Sequence, residues 1–236
     1  MGGSLTFVIL PGLDGTGALL KEFASAFAAG ASVIVVDYPA DIIINYDGLV
    51  SYVRQRLPKG DFVLVGESFS GPVALRIAAE QPPGLKGVVL GASFARLDIH
   101  AKSLLALAAA AISPKALPMF ALSFLLLGRW ATSQNVTALR TAIKTVSPSV
   151  LSGRAQEALS VDLVARGVSV ECPTLILEAR YDRLIPRTAS NTVAKICRKL
   201  RVETIDGPHF LLQIAPNTCA SAVQNFGKEL LNQKDQ

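Results

Sequence analysis

Charged residues are scarce in this chain, at 17% of 236 residues, while hydrophobic residues make up half of it. That balance excludes a disordered, self-repelling chain and points to a large core or an apolar binding surface. Aromatic residues contribute only 6%, and no reader motif accompanies the net charge of +5, so nucleic-acid binding is not expected. Cysteine is limited to Cys172, Cys197 and Cys219. An odd number, with neither CxxC nor metal-ligand spacing, fits thiols in a reducing compartment better than disulfides or a metal site, and suggests a cytoplasmic location. Met1-Gly2-Gly3-Ser4 carries no basic stretch ahead of an apolar region, so no secretory signal is expected. Without a route to secretion, the sequon Asn135-Val136-Thr137 has no weight. Two very apolar stretches, Leu104 to Ile112 and Ala116 to Leu127, are divided by Ser113-Pro114-Lys115. Neither reaches the roughly 18–20 residues of a membrane span, and no transmembrane segment is expected.

The length suits a single domain carrying an insertion. Short apolar runs alternate with amphipathic helical patterns in the first 94 residues, the rhythm of βαβ units feeding a mostly parallel sheet with helices on both faces. Strands are predicted at Leu5 to Leu10, Ser32 to Val36, Phe62 to Val65 and Gly87 to Leu90. Helical stripes run through Leu19, Leu20, Phe23 and Phe27, through Leu49, Val53 and Leu57, and through Val73, Leu75, Ile77 and Ala78. From about Arg96 to Arg166 the strand rhythm stops, and helices are punctuated by Pro114, Pro118, Pro148 and Gly153. The sheet pattern resumes at Thr174 to Leu177 and Val202 to Ile205, with a helix near Ser190 to Lys199 and another from about Leu211. Residues 1–94 and 169–236 are therefore read as an α/β core, and 95–168 as a helical lid.

Gly66-Glu67-Ser68-Phe69-Ser70-Gly71 follows the third strand and opens a helical pattern, which is the setting of a nucleophile elbow. Small residues are needed on either side of such a serine so that strand and helix can approach. Ser70 stands where glycine is usual and is expected to be less permissive in backbone angle. A serine hydroxyl needs a base, and only two histidines exist. His209, in the turn Asp206-Gly207-Pro208-His209-Phe210 after the last strand, is the candidate, while His100 is read as a surface or lid residue. Asp182, in the turn after the Thr174 to Leu177 strand, is the candidate carboxylate that orients the imidazole. Asp98 is its rival, and Asp182 could instead cap a helix or pair with Arg180 or Arg183. The loop Pro11-Gly12-Leu13-Asp14-Gly15-Thr16-Gly17 fits neither a P-loop nor a dinucleotide fingerprint. It suits an oxyanion hole in which the Leu13 N–H stands beside that of Phe69.

Taken in this order, the Pro11 to Gly15 loop, the Gly66 to Gly71 elbow, Asp182 and Gly207-Pro208-His209 resemble the α/β-hydrolase superfamily over most of the chain outside the lid. The resemblance implies a Ser68-Asp182-His209 hydrolase, with its site under a variable cap and no metal or cofactor required. Two departures from the family pattern are Pro11, where many members carry histidine, and a sheet expected to begin at the oxyanion-loop strand, without the leading antiparallel hairpin of larger relatives. The expected reaction is cleavage of a carboxylic ester or thioester through an acyl-enzyme. A lyase, an acyltransferase or a non-catalytic ligand receptor on the same fold are the alternatives. The segment from Arg96 to Arg166 holds eight basic residues against three acidic ones, so the net charge of the whole chain resides there. An apolar, basic cap, with Leu104 to Leu127 as its expected substrate-binding region, suits an acyl chain attached to an anionic carrier or lying at a lipid surface. Lysines and arginines that only keep a greasy cap soluble are the plainer account.

Overall fold

The computed structural model describes residues 5–97 and 118–232. Six strands form one sheet: β1 Thr6–Leu10, β2 Ser32–Val35, β3 Phe62–Glu67, β4 Leu85–Gly91, β5 Thr174–Ala179 and β6 Leu200–Ile205. Their order is β2-β1-β3-β4-β5-β6, and every pairing is parallel. A parallel sheet is covered on both faces, so its inner strands are apolar on both. Val8, Leu10, Phe62, Leu64, Val88, Leu90 and Ile176 point to one core, and their sequence neighbours Phe7, Ile9, Val63, Val65, Val89, Leu175 and Leu177 to the other. The first core is closed by α2 (Tyr46–Arg54) and α3 (Gly71–Ala79). The second is closed by α1 (Lys21–Ser25) and the long C-terminal α9 (Pro216–Asn232). The architecture is the α/β fold expected from the sequence.

The chain runs outward from β1 to β2 and, after crossing back, outward again from β3 to β6. The loops leaving β1 and β3 therefore diverge, and such a switch point leaves a crevice at the carboxyl edge of the sheet. Leu10 lies opposite Gly66 in the register, which sets the loop that begins at Pro11 against Glu67 and Ser68.

Several element boundaries differ from expectation, among them the helix expected near Ser190 to Lys199, which ends at Ala194. The stripe from Leu19 to Phe27 is divided between a 3-10 turn at Ala18–Leu20 and the five-residue α1. The helix expected from Leu211 is two: α8 (Leu211–Ile214) stops at Ala215, whose φ of −123° and ψ of 51° leave the helical region, and Pro216 starts α9 in the first-turn position that proline favours. Between β4 and β5 the described residues form α4 (Met119–Leu126), α5 (Ser133–Thr145) and α6 (Pro148–Ser160), and α7 (Ala189–Ala194) follows β5. His100, Asp98 and residues 104–117 of the expected binding region lie outside the described residues.

Candidate active site

Ser68 sits one residue past β3 with a φ of 45°, a left-handed conformation that costs an L-residue of order 1–3 kcal/mol. Its surroundings hold it there. A Cβ on Gly66 would come within 2.9 Å of the Ser70 carbonyl, and one on Gly71 within 1.8 Å of Ser93 Oγ. Ser93 Oγ in turn donates to the Ser68 carbonyl at 2.5 Å, and Tyr46 Oη donates to the Phe69 carbonyl at 2.9 Å while its ring stacks on that of Phe69. At Ser70 the narrower backbone range of serine costs nothing. Its φ of −84° lies in the ordinary helical region, so no glycine is needed, and its hydroxyl bonds to the Pro11 carbonyl and, at 2.7 Å, to Tyr38 Oη. The residue that departs from the usual pattern links the elbow to the loop after β1.

Beyond β5 and β6, two turns bring the remaining side chains to the serine. Ser68 Oγ lies 2.8 Å from His209 Nε2, and His209 Nδ1 lies 2.8 Å from Asp182 Oδ2. With the Nδ1 proton directed to Asp182, Nε2 is left as an acceptor facing the hydroxyl. Asp182 caps no helix, because α7 begins only at Ala189, but it braces its own turn as well as orienting the imidazole. Its Oδ1 accepts the Leu184 and Ile185 N–H groups at 2.8 and 2.7 Å, which fixes the carboxylate while Oδ2 serves the imidazole. His209 is only 3% exposed, and that burial opposes its protonation. The Asp182 charge and hydrogen bond, with a smaller contribution from Glu67, outweigh it and hold the imidazole above its ordinary pKa. This arrangement is able to take a proton from Ser68 and hold it as an imidazolium.

Glu67 was not singled out from the sequence, since it occupies the variable position of the elbow. The structure buries it to 5% exposure, with Oε2 accepting the Gly12 N–H at 3.2 Å and Oε1 the Gln213 Nε2 at 2.7 Å. Burial, helped by the Asp14 charge and opposed by these hydrogen bonds, pushes its pKa up to about 7. Arg154, on α6, was passed over as one of several scattered lid cations, yet it is 3% exposed. No local signal marks either residue, because their partners lie 55 and more positions away in the chain.

Beside the serine opens a cavity of about 140 Å³. Gly12, Leu13, Glu67, Ser68, Phe69, His209 and Gln213 form its polar end, and Leu122, Leu125, Leu126, Leu139, Ile143 and Leu151 much of its apolar wall. The wall therefore draws on α5 and α6 as well as on the expected region up to Leu127. The segment between β4 and β5 is also tied to the turns that carry the site. Phe210 N–H donates to the Leu126 carbonyl at 3.0 Å, and Arg183 to that of Phe124 at 3.0 Å, supplying partners for carbonyls that the end of α4 leaves open.

The other sequence candidates are less eventful. Burial pushes the thiols of Cys172 and Cys197 up to about 11 and that of Cys219 to about 12, away from reactive thiolates. Among the described residues, no group of three His, Cys, Asp or Glu side chains could hold a metal ion, and no helix is long and apolar enough to cross a membrane.

Solved structures of low sequence identity share this arrangement of strands and helices. A bromoperoxidase from Bacillus anthracis superposes with a TM-score of 0.83 at 17% identity, covering 96% of this chain and 93% of that one. An esterase from Exiguobacterium antarcticum gives a TM-score of 0.80 at 16% identity over 97% and 93% of the two chains. A lipase-esterase related protein from Clostridium acetobutylicum gives 0.75 at 17% over 95% of each. Among curated proteins no sequence relative is found. The family model for serine aminopeptidase, S33, matches residues 28–210, and with the parallel sheet and the elbow this shows that the chain belongs to that family of α/β-hydrolases.

Proposed function

We propose that the protein is a serine hydrolase that cleaves a carboxylic ester or thioester with an apolar acyl group, through an acyl-enzyme. The observation that carries this reading is the continuous hydrogen-bonded run from Ser68 through His209 to Asp182, opening onto a cavity walled by leucine side chains. Ser68 Oγ attacks the acyl carbonyl carbon as His209 Nε2 takes its proton. The carbonyl oxygen gains the negative charge and is received by the Leu13 and Phe69 N–H groups, donors of a kind worth about 3–4 kcal/mol each to the transition state. His209 then returns the proton to the departing alcohol or thiol. Water, deprotonated by His209, then adds to the acyl carbon, and as the bond to Ser68 Oγ breaks His209 gives that proton to Oγ, which releases the acid and restores Ser68. Asp182 keeps the imidazole in the tautomer and orientation that this exchange needs.

Residues 95–168 act as the lid, and the leucines of α4 and α5 receive the acyl chain. The basic residues of the same segment would attract an anionic carrier or lipid head group joined to it. Hydrolysis of p-nitrophenyl esters of graded acyl length by the wild type and by Ser68→Ala tests the reading. Turnover that peaks at medium or long chains and disappears in the variant is expected. Preference for aminoacyl anilides over esters would replace the ester reading with an aminopeptidase, and turnover that survives Ser68→Ala would remove Ser68 from the reaction. Absence of turnover on every chain length would leave a lyase, an acyltransferase or a ligand receptor as the reading of the site.

A further inference from the structure

We infer that Arg154 of α6 is a positioning residue, whose guanidinium fixes the loop after β1 so that the Leu13 N–H meets the oxyanion. This rests on the reading of Leu13 as an oxyanion donor. Arg154 Nη1 donates to the Leu13 carbonyl at 3.1 Å and to the Asp14 carbonyl at 2.6 Å, and Nη2 donates to the Pro39 carbonyl at 2.9 Å. A buried guanidinium is costly to desolvate, and an apolar side chain could fill the same volume at less cost. Among the described residues its hydrogen bonds go to main-chain carbonyls, which is how a planar, multi-donor group fixes a loop. The loop is shaped around it, since a Cβ on Gly15 would come within 2.2 Å of Nη1.

The peptides on either side of the Leu13 N–H are each spoken for. The Pro11 carbonyl accepts from Ser70, and the Gly12 N–H donates to Glu67. The Gly12 carbonyl accepts the Gly15 N–H at 3.1 Å, and the next two carbonyls accept from Arg154. Among the described residues the Leu13 N–H has no partner, while Leu13 itself lines the cavity beside Ser68. The loop is thus pinned from the elbow by Ser70 and Glu67, and from the lid by Arg154. Because one of these pins stands on α6, removing it should loosen the donor without disturbing Ser68 or His209.

The test compares two ligands in the wild type, Arg154→Met and Arg154→Lys. An n-alkyl boronic acid forms a bond from Ser68 Oγ to boron, with the hydroxyl proton passing to His209, and so presents an oxygen to the oxyanion site. The n-alkyl alcohol of equal length fills the cavity without that bond. In both variants boronate affinity and kcat are expected to fall about tenfold or more, while alcohol affinity and KM stay within about twofold. Equal weakening of both ligands, or weakening of neither, would overturn the inference, as would failure of both variants to fold, which would assign Arg154 to stability alone. A wild type that forms no boronate adduct at Ser68 would overturn the proposed function itself, whatever the variants do.

Discussion

The carboxyl edge of the sheet and α4, in the helical segment between β4 and β5, use side chains in opposite ways. At the edge, polar groups are buried and partnered several times over. Asp182 bonds two backbone N–H groups as well as the imidazole, and Ser70 bonds a carbonyl and a tyrosine. In the segment, α4 is apolar on both faces, with Leu122, Leu125 and Leu126 on the cavity and Phe120 and Phe124 exposed at 76% and 61%. Directional bonds fix one geometry, whereas apolar contacts fix little beyond volume. The edge, with Arg154 reaching it from α6, is therefore expected to decide whether reaction occurs, and α4 to decide on what.

The largest effects that could break this division lie at the edge. Ser68→Ala or His209→Ala should lower kcat by about 10³–10⁶-fold on every chain length, with unchanged circular dichroism. Asp182→Asn should follow at about 10³–10⁴-fold. Asparagine keeps an oxygen for the Leu184 and Ile185 N–H groups, so Tm should change little while the imidazole loses its acceptor. A large fall in Tm would mean that bracing its turn, rather than orientation, is the main work of Asp182.

A middle-sized effect sharpens the comparison from the other side. Leu126→Trp would place bulk in the apolar wall and should lower kcat/KM for long acyl esters about 10–100-fold, leaving acetyl esters within about threefold. Equal losses on both would mean that α4 acts on the chemistry, through its bond to the Phe210 N–H, and the two regions would not be separable.

The same contrast explains what was legible in the sequence. The inner strands showed because both of their faces are buried, and Ser68, Asp182 and His209 stood out because each follows a strand end in a turn of recognisable composition. The scarcity of histidine narrowed the base to two positions. The break between α8 and α9 was written in Pro216, although the apolar pattern runs past it. Glu67 and Arg154 were not legible. The partners of Arg154, Leu13 and Asp14, lie 141 and 140 positions away, and nothing local distinguishes a lysine or arginine that meets solvent from one that meets three carbonyls.

The smallest predicted effect concerns Glu67, a charge at the edge that takes no part in the proton transfer. Its negative charge contributes to the raised pKa of His209, so Glu67→Gln should move the acid limb of kcat/KM to lower pH, by less than about one unit. Activity in both proteins should rise with pH as the imidazole loses its proton, and the wild-type limb should lie above His209's ordinary 6.5. Stability gives a second reading. Folding raises the Glu67 pKa from 4.5 to about 7, so the native state holds this proton more tightly than the unfolded chain does. The stability gained is complete below pH 4.5 and is lost as pH rises through about 7. The variant has no such loss, so Tm of Glu67→Gln relative to wild type should be higher at pH 8 than at pH 5. Glutamine is nearly isosteric: its oxygen can accept the Gly12 N–H, and once the Gln213 amide turns over its own amide can donate to Gln213 Oε1, an atom that is buried without a partner among the described residues of the wild type. A pH limb that did not move, with Tm rising as predicted, would show that Glu67 is a tolerated cost of the elbow and has no electrostatic reach to the imidazole.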